Sequence, residues 1–303
     1  RLLVADPVEA TWLGDNRFDA LLPDRSPDGV ADLRAAIDLD VTDLDAVDDG
    51  ELDLADRVDL EILRSALLAL RFELAEVRSY EWDPMEWNPG TGLHLLVSRE
   101  FASVDERATS ARGRLAAVPD QLATARAQLG DMSQPHVETA IAQLGGTRHL
   151  FDTEARALAS DDATVDAAIA AVDEFSAWLA ERLPDARRDP RLGERLYAAR
   201  LWHRLYDDVS ADELLGDARA HLDLVTAQMQ EAASQYLGRT VADPQGVREA
   251  LDRVAASATV TDATVLDLMR AAMDRTTSFV RELDLVTVPD LDVAVIEMPE
   301  IHR

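Results

Sequence analysis

The chain has 303 residues, enough for one large domain or two modest ones, and its formal charge is −29 with arginine at all thirty basic positions. A field this negative repels phosphate backbones and anionic lipid surfaces, so we expect no nucleic-acid partner and no membrane partner. Cysteine is absent, which excludes disulfides, thiolate metal sites and a cysteine nucleophile.

The termini and the hydropathy indicate the cellular compartment. No stretch approaches the roughly 18 apolar residues of a membrane span. Residues 1–4 lack a starting methionine and the charged and apolar regions of a signal peptide. We therefore expect a soluble, cytoplasmic protein whose sequence here begins inside a longer chain. The acidic surplus is typical of a solubilising surface, and the alternative is attraction of cationic substrates.

Helix signals begin at the first residues. Asp6-Pro7 and Ser26-Pro27 each place a capping residue before a proline, which predicts helices that end near Gly14 and Val47. Apolar residues three or four positions apart over residues 54–77 then predict one long amphipathic helix.

The helical pattern stops at residues 80–92, which read YEWDPMEWNPGTG. Two prolines and two glycines predict a loop. Its aromatic residues Tyr80, Trp82 and Trp87 are candidates for the lining of a substrate cleft, because aromatic loops often bind ligands. The alternative is that they anchor the loop in the core.

Helices continue through the second half of the chain. Ser103 with Glu106, and Ser210 with Glu213, form capping boxes that each predict a helix start. We expect Pro119 to divide residues 104–129 into two helices, and the Gly145-Gly146 pair to kink or split the next one. Further starts are predicted near residues 134, 161, 189, 243 and 262.

The character of the chain changes after residue 284. Residues 285–288 and 293–296 are β-rich and flank Pro289-Asp290, which predicts two short strands or a hairpin within 284–298. The predicted fold class is therefore mostly all-α, with about ten packed helices and a short β element near the C-terminus. We expect 1–303 to be one helical portion of a larger protein, and the strands to pair with a C-terminal half beyond it.

No complete catalytic or metal-binding motif occurs. The chain has no His-Glu-x-x-His, no Glu-x-x-His, no Gly-x-Ser-x-Gly and no phosphate-binding loop, so no catalytic residue, metal ligand or cofactor is assigned within it. His203, with Asp207 four residues later, is typical of an imidazole oriented for acid–base work, although an ordinary surface pair has the same spacing. With the adjacent Tyr206, His203 joins the candidates for a substrate cleft.

Several short segments, taken in order, resemble the first half of the bacterial domain-of-unknown-function family 885. They are DPVEATWLG at 6–14, LPD at 22–24, RLAAVP at 114–119, ARAQL at 125–129, PHVETAI at 135–141, RLGE at 191–194, LVTVPD at 285–290 and EMPE at 297–300. Their order and spacing extend across nearly the whole chain.

The resemblance implies a large helical, zincin-like metalloprotein whose second half carries a His-Glu-x-x-Pro-Gly-His helix. That motif lies beyond this chain, so zinc is expected in the parent protein and no ligand is carried over to these residues. For residues 1–303 the resemblance implies the scaffold and cleft wall of a zinc-dependent hydrolase, peptidase-like and acting on a peptide or small molecule. The alternative is a non-catalytic helical binding or interaction module.

Overall fold

The computed structural model describes residues 2–205, 209–257, 259–291 and 293–296, and the chain divides into a first unit, residues 1–209, and a second unit, residues 210–303. The helices of the first unit are α1 (Leu2–Ala5), α2 (Pro7–Trp12), α3 (Pro27–Asp45), α4 (Leu54–Phe72), α5 (Gly90–Ser98), α6 (Val104–Gln128), α7 (Gln134–Leu150), α8 (Arg156–Ala159), α9 (Asp162–Arg182) and α10 (Glu194–Leu205). Short 3-10 turns connect several of them, and π-helical turns follow α4 at Glu73–Val77 and α7 at Phe151–Ala155.

Local capping explains five helix starts of the first unit. The side chains of Asp6, Ser26, Asp53 and Asp161 each accept a hydrogen bond from the third backbone N–H that follows, satisfying a donor that the first helical turn leaves unpaired. The predicted capping box of Ser103 and Glu106 is present at the start of α6.

The core of the first unit lies where α6 packs along α9, with α7 beside them. Leu115 and Leu122 of α6 and Phe175 and Leu179 of α9 are at most 1% exposed. Burial of each such side chain stabilises the fold by about 1.5–3 kcal/mol.

Two expected interruptions are absent: the division of the helix at Pro119 and the split at Gly145-Gly146. α6 continues through Pro119, although proline removes one intrahelical donor and disfavours the helical conformation at the preceding residue. The buried residues Leu115, Val118 and Leu122 hold both sides of the proline against the core, which offsets the lost hydrogen bond. α7 likewise runs unbroken through Gly145-Gly146, and the irregularity comes later, at its π-helical turn.

The second unit contains α11 (Ala211–Leu237), α12 (Pro244–Ser257) and α13 (Val265–Glu282). Ser210 and Glu213 form the predicted capping box, and Gly238 ends α11 in the left-handed conformation with φ 66°. Ala233, Val241 and Ala250 form a small core between α11 and α12. None of the described side chains of α13 is buried within this structure.

The β element predicted within 284–298 is wrong. The described residues 285–291 and 293–296 form no strand, and residues 292 and 297–298 lie outside the described part of the chain. Val286 and Val293 are 67% and 62% exposed. High β-propensity does not make a strand by itself, because a strand requires a hydrogen-bonded partner and these residues have none in the described chain.

Candidate functional site

The segment after α4 departs from regular helix and carries the predicted aromatic residues. The π-helical turn Glu73–Val77 ends at Arg78, a non-glycine residue in the left-handed conformation with φ 52°. The chain then forms two 3-10 turns, Ser79–Glu81 and Pro84–Trp87, and Asp83 caps the second by accepting from the Met85 N–H at 3.0 Å. Single π-helical turns in helical proteins frequently occur at functional sites.

Hydrogen bonds from two indoles hold this loop in place. Trp82 Nε1 donates to the Val77 carbonyl and Trp87 Nε1 donates to the Tyr80 carbonyl, each at 2.9 Å. Trp87 has no exposed surface and serves as a core anchor. Tyr80 and Trp82 are also largely buried, but both contribute to the wall of a cleft.

This cleft, which we call the Trp82 cleft, has a volume of about 730 Å³. Residues from the N-terminal segment, the 23–25 loop, α3, the end of α4, the 79–86 loop, α7 and the segment 190–204 line it. The His136 ring meets Trp82 edge-on, with ring centroids 5.4 Å apart, and the Arg188 guanidinium lies 4.6 Å from the Trp82 ring. The hydrogen bond to Val77 thus orients the indole, and a cation and an imidazole contact its ring.

The Trp82 cleft adjoins two other depressions of the first unit. It shares Asp6, Glu9, Arg25, Asp83 and Glu86 with a smaller pocket of about 370 Å³. On another side it shares Leu70, Glu73, Arg200 and Arg204 with a groove of about 950 Å³ along α4, which we call the α4 groove. Carboxylates thus outnumber arginines on the side toward the small pocket, and arginines outnumber carboxylates on the side toward the groove.

Ion pairs organise the charged groups of the cleft. Arg200 donates from Nε and Nη2 to the two carboxylate oxygens of Glu73, at 2.8 and 2.5 Å. Glu86 accepts from Arg25 and from the Ser79 hydroxyl, both at 3.3 Å. Partial burial raises the pKa of Asp83, and the nearby Glu86 acts in the same direction while the Met85 N–H and His136 oppose it.

The predicted site residues do not all meet. His203 lines the α4 groove, where its ring lies against Phe72 with centroids 4.8 Å apart, and burial lowers the pKa of its imidazole. Tyr206, and Asp207 of the expected His–Asp pair, lie outside the described residues. The role of Tyr80, Trp82, Trp87 and His203 in substrate binding stays a prediction.

Sequence reasoning missed the charged residues of the cleft. Glu73 and Arg200 are 127 positions apart, and no local pattern distinguishes them from the charged residues beside them in the sequence. In the sequence, His136 belongs only to the segment 135–141 that contributes to the family resemblance. The one sequence signal for this region is the end of the helical pattern at residues 80–92.

The described part of the chain contains no group of three histidine, aspartate or glutamate side chains placed to hold a metal ion. None of its helices is long and apolar enough to cross a membrane. The geometry of the Trp82 cleft suits recognition of a ligand by aromatic and charged groups.

Comparison with known proteins relates the chain to uncharacterised relatives. A solved structure of a "putative lipoprotein of unknown function" from Shewanella oneidensis matches with a TM-score of 0.75 at 20% identity, a likeness of fold. The match covers 95% of this chain, which spans 57% of that protein. No curated protein matches the chain. A sequence model described as "Bacterial protein of unknown function (DUF885)" matches residues 7–303, and the chain therefore belongs to the DUF885 family.

Proposed function

We propose that residues 1–209 form the ligand-binding wall of a hydrolase that acts on peptides or other amides. The Trp82 cleft is the single observation that carries this proposal. It combines an oriented indole, paired arginines and carboxylates in a volume of about 730 Å³, within the range of small-molecule and peptide sites. Backbone amides and charged termini of a peptide are the groups that such a lining recognises.

The hydrolytic part of the proposal rests on the family resemblance. In this proposal the HExxH motif, its zinc and its catalytic glutamate belong to a second half outside residues 1–303, and these residues are the N-terminal half. The greater length of the Shewanella oneidensis protein supports this arrangement. The described residues do not provide a zinc site, so no step of the reaction is assigned to them.

A non-catalytic helical binding module is the alternative. The ion pair of Glu73 with Arg200 and the contact of Arg188 with Trp82 favour it, because groups already engaged with each other stabilise a binding surface without being free for proton transfer.

Calorimetric titration of residues 1–303 with a panel of unblocked tri- to pentapeptides measures whether the Trp82 cleft binds peptides. Glu86→Arg breaks the pair with Arg25 and reverses the charge at the cleft, so we expect at least about a tenfold loss of affinity. Glu100→Arg, an exposed reversal outside the cleft lining, is the matched control and should leave affinity unchanged. Absence of saturable peptide binding would contradict the proposal.

The catalytic half of the proposal needs a separate measurement. The natural gene product that contains residues 1–303 should cleave the peptides that bind, and should retain stoichiometric zinc after dialysis against a weak chelator. Binding without cleavage or zinc would support the binding module instead.

A further inference from the structure

The outer face of α4 exposes a continuous apolar surface. Leu54, Val58 and Ile62 recur every fourth residue and are 73%, 50% and 59% exposed, and Ala66 and Leu70 continue the row along the α4 groove. At ~1.5 Å per residue, the row from Leu54 to Leu70 is about 24 Å long. A large apolar strip of this kind on a folded surface marks a binding site, because water contact with it is unfavourable.

One end of the α4 groove is polar. Residues of α10 line it beside the C-terminal end of α4, and they include Arg200, His203 and Arg204. The Nδ1 atom of His203 is buried and has no hydrogen-bond partner among the residues that the structure describes. Because this atom is buried, a ligand in the groove meets other atoms of the His203 ring.

The charge of this end differs from that of the whole chain. Among the described residues that line this end, Arg200 and Arg204 outnumber one carboxylate, Glu73, whereas the chain carries a formal charge of −29. Glu73 is held by Arg200 through two hydrogen bonds, so its charge is balanced within the pair. The exposed guanidinium of Arg204 then leaves a local positive charge beside the His203 imidazole.

We propose that the α4 groove binds a long-chain aliphatic carboxylate, with the hydrocarbon along Leu54–Leu70 and the carboxylate at His203 and Arg204. Arg204 supplies the counter-charge and the hydrogen-bond donors for the carboxylate, and the accessible part of the His203 ring lies beside it. A linear hydrocarbon chain matches the narrow row of apolar side chains. The groove, with a volume of about 950 Å³, accommodates it. This site does not depend on the proposed hydrolase function, because the ligand has no amide group.

Isothermal titration with two amphiphiles of equal chain length, dodecanoate and dodecyltrimethylammonium, tests the proposal below their micellar concentrations. The net charge of −29 by itself favours the ammonium. We expect dodecanoate to bind at a single site about tenfold more tightly, a difference of about 1.4 kcal/mol. Equal or tighter binding of the ammonium would overturn the proposal.

Variants locate the site. Ile62→Glu places a charge in the groove floor, and we expect at least about a tenfold loss of dodecanoate affinity; Val58→Glu is the second floor variant in case the first fails to fold. Arg204→Glu should weaken dodecanoate and not dodecyltrimethylammonium. Leu222→Glu, at a 64% exposed leucine of α11, is the matched control and should change neither.

Unchanged affinity in both folded floor variants would place the ligand elsewhere and overturn the assignment. Sedimentation velocity of the ligand-free protein tests whether a second copy of the chain occupies the groove instead. A dimer that Ile62→Glu dissociates would show that a second copy fills the groove, and would also overturn the proposal.

Discussion

Arg114 lies buried in α6 and donates a 2.7 Å hydrogen bond from Nη2 to the hydroxyl of Thr11, 103 positions earlier in the chain. The same guanidinium donates to the carbonyls of Leu21 at 2.9 Å, Gly92 at 2.5 Å and Pro7 at 3.0 Å. Burial lowers the pKa of Arg114 to about 10, so the group stays charged at neutral pH. One arginine thus connects α2, the 13–26 loop and α5 to the core helix α6.

Replacement of Arg114 should strongly destabilise the first unit. Arg114→Met removes the donor that three backbone carbonyls share, and we expect a loss of about 3–5 kcal/mol in the free energy of unfolding of the first unit. Urea denaturation followed by tryptophan fluorescence measures it. Arg34→Met on the exposed side of α3 is the control, expected within ~0.5 kcal/mol of the parent. A loss below about 1 kcal/mol in Arg114→Met would contradict this account.

Two glycine substitutions should have opposite effects on stability. In Gly113→Ala the new methyl group would lie 2.8 Å from the Ala20 carbonyl oxygen and 2.9 Å from the Ala20 Cβ, so we expect destabilisation by about 1–3 kcal/mol. In Gly146→Ala the methyl meets no atom within 4 Å, and the helix α7 should gain about 0.5–1 kcal/mol. Thermal unfolding by circular dichroism compares the two, and a shift in the same direction would refute the close approach at Gly113.

His203 should make stability depend on pH near neutrality. Burial is the main cause of its lowered pKa, with Arg71 acting in the same direction and Glu73 and Glu76 opposing both. The unfolded chain therefore binds a proton at higher pH than the folded one, so stability is present above the unfolded pKa of about 6.5 and is lost as pH falls through the folded pKa. We expect the midpoint of thermal unfolding to fall less in His203→Gln than in the parent between pH 7 and pH 5.

The quantity to compare is the change of the unfolding midpoint with pH, which we call the slope. The midpoint itself is not suitable, because the substitution also removes the contact with Phe72 and lowers stability at every pH. His221→Gln, in an exposed position of α11, is the control and should retain the parent slope. Identical slopes in all three proteins would exclude His203 as the titrating group.

Asp83 should make the stability of the fold depend on pH in the opposite direction. Its raised pKa means that the folded state holds the proton more tightly than the unfolded state, so the ionised carboxylate destabilises the fold increasingly as pH rises from about 3.8 through the folded pKa. Asp83→Asn keeps an oxygen acceptor for the Met85 N–H, and we expect it to unfold at a higher temperature than the parent at pH 7. The gain should vanish near pH 4.

Asp48→Asn is the matched control, because Asp48 also caps a 3-10 turn, accepting from the Gly50 N–H at 2.9 Å, but on an exposed surface. It should show no comparable gain at pH 7. A gain for Asp83→Asn that persists unchanged at pH 4 would exclude ionisation as its cause.

Local helix signals in the sequence were reliable because capping involves only neighbouring residues. The starts at Asp6, Ser26, Ser103 and Ser210 follow from side chains that reach a backbone N–H three residues away. The start of α10 was expected near residue 189 and occurs at Glu194, since Asp189 instead pairs with Arg191 in a turn.

Positions whose structure depends on distant residues were predicted less well. Trp82 and Trp87 were recognisable as aromatic residues in an irregular loop, but their sequence context does not show that Trp87 is fully buried and that Trp82 borders a cleft. That difference arises from which neighbours surround each indole, among them His136 and Arg188, and these are more than fifty positions away.

The sequence by itself determined the helical class, the acidic surface, the absence of thiol chemistry and the family, because each depends on composition, local spacing or segment order. Only the tertiary structure decided that α6 continues through Pro119, that residues 285–291 and 293–296 form no strand, and that Glu73 meets Arg200. In each of these cases the free energy comes from contacts between segments distant in the chain. Core packing holds a helix across a proline, a strand forms only beside a partner, and an ion pair requires that two helices place their side chains together.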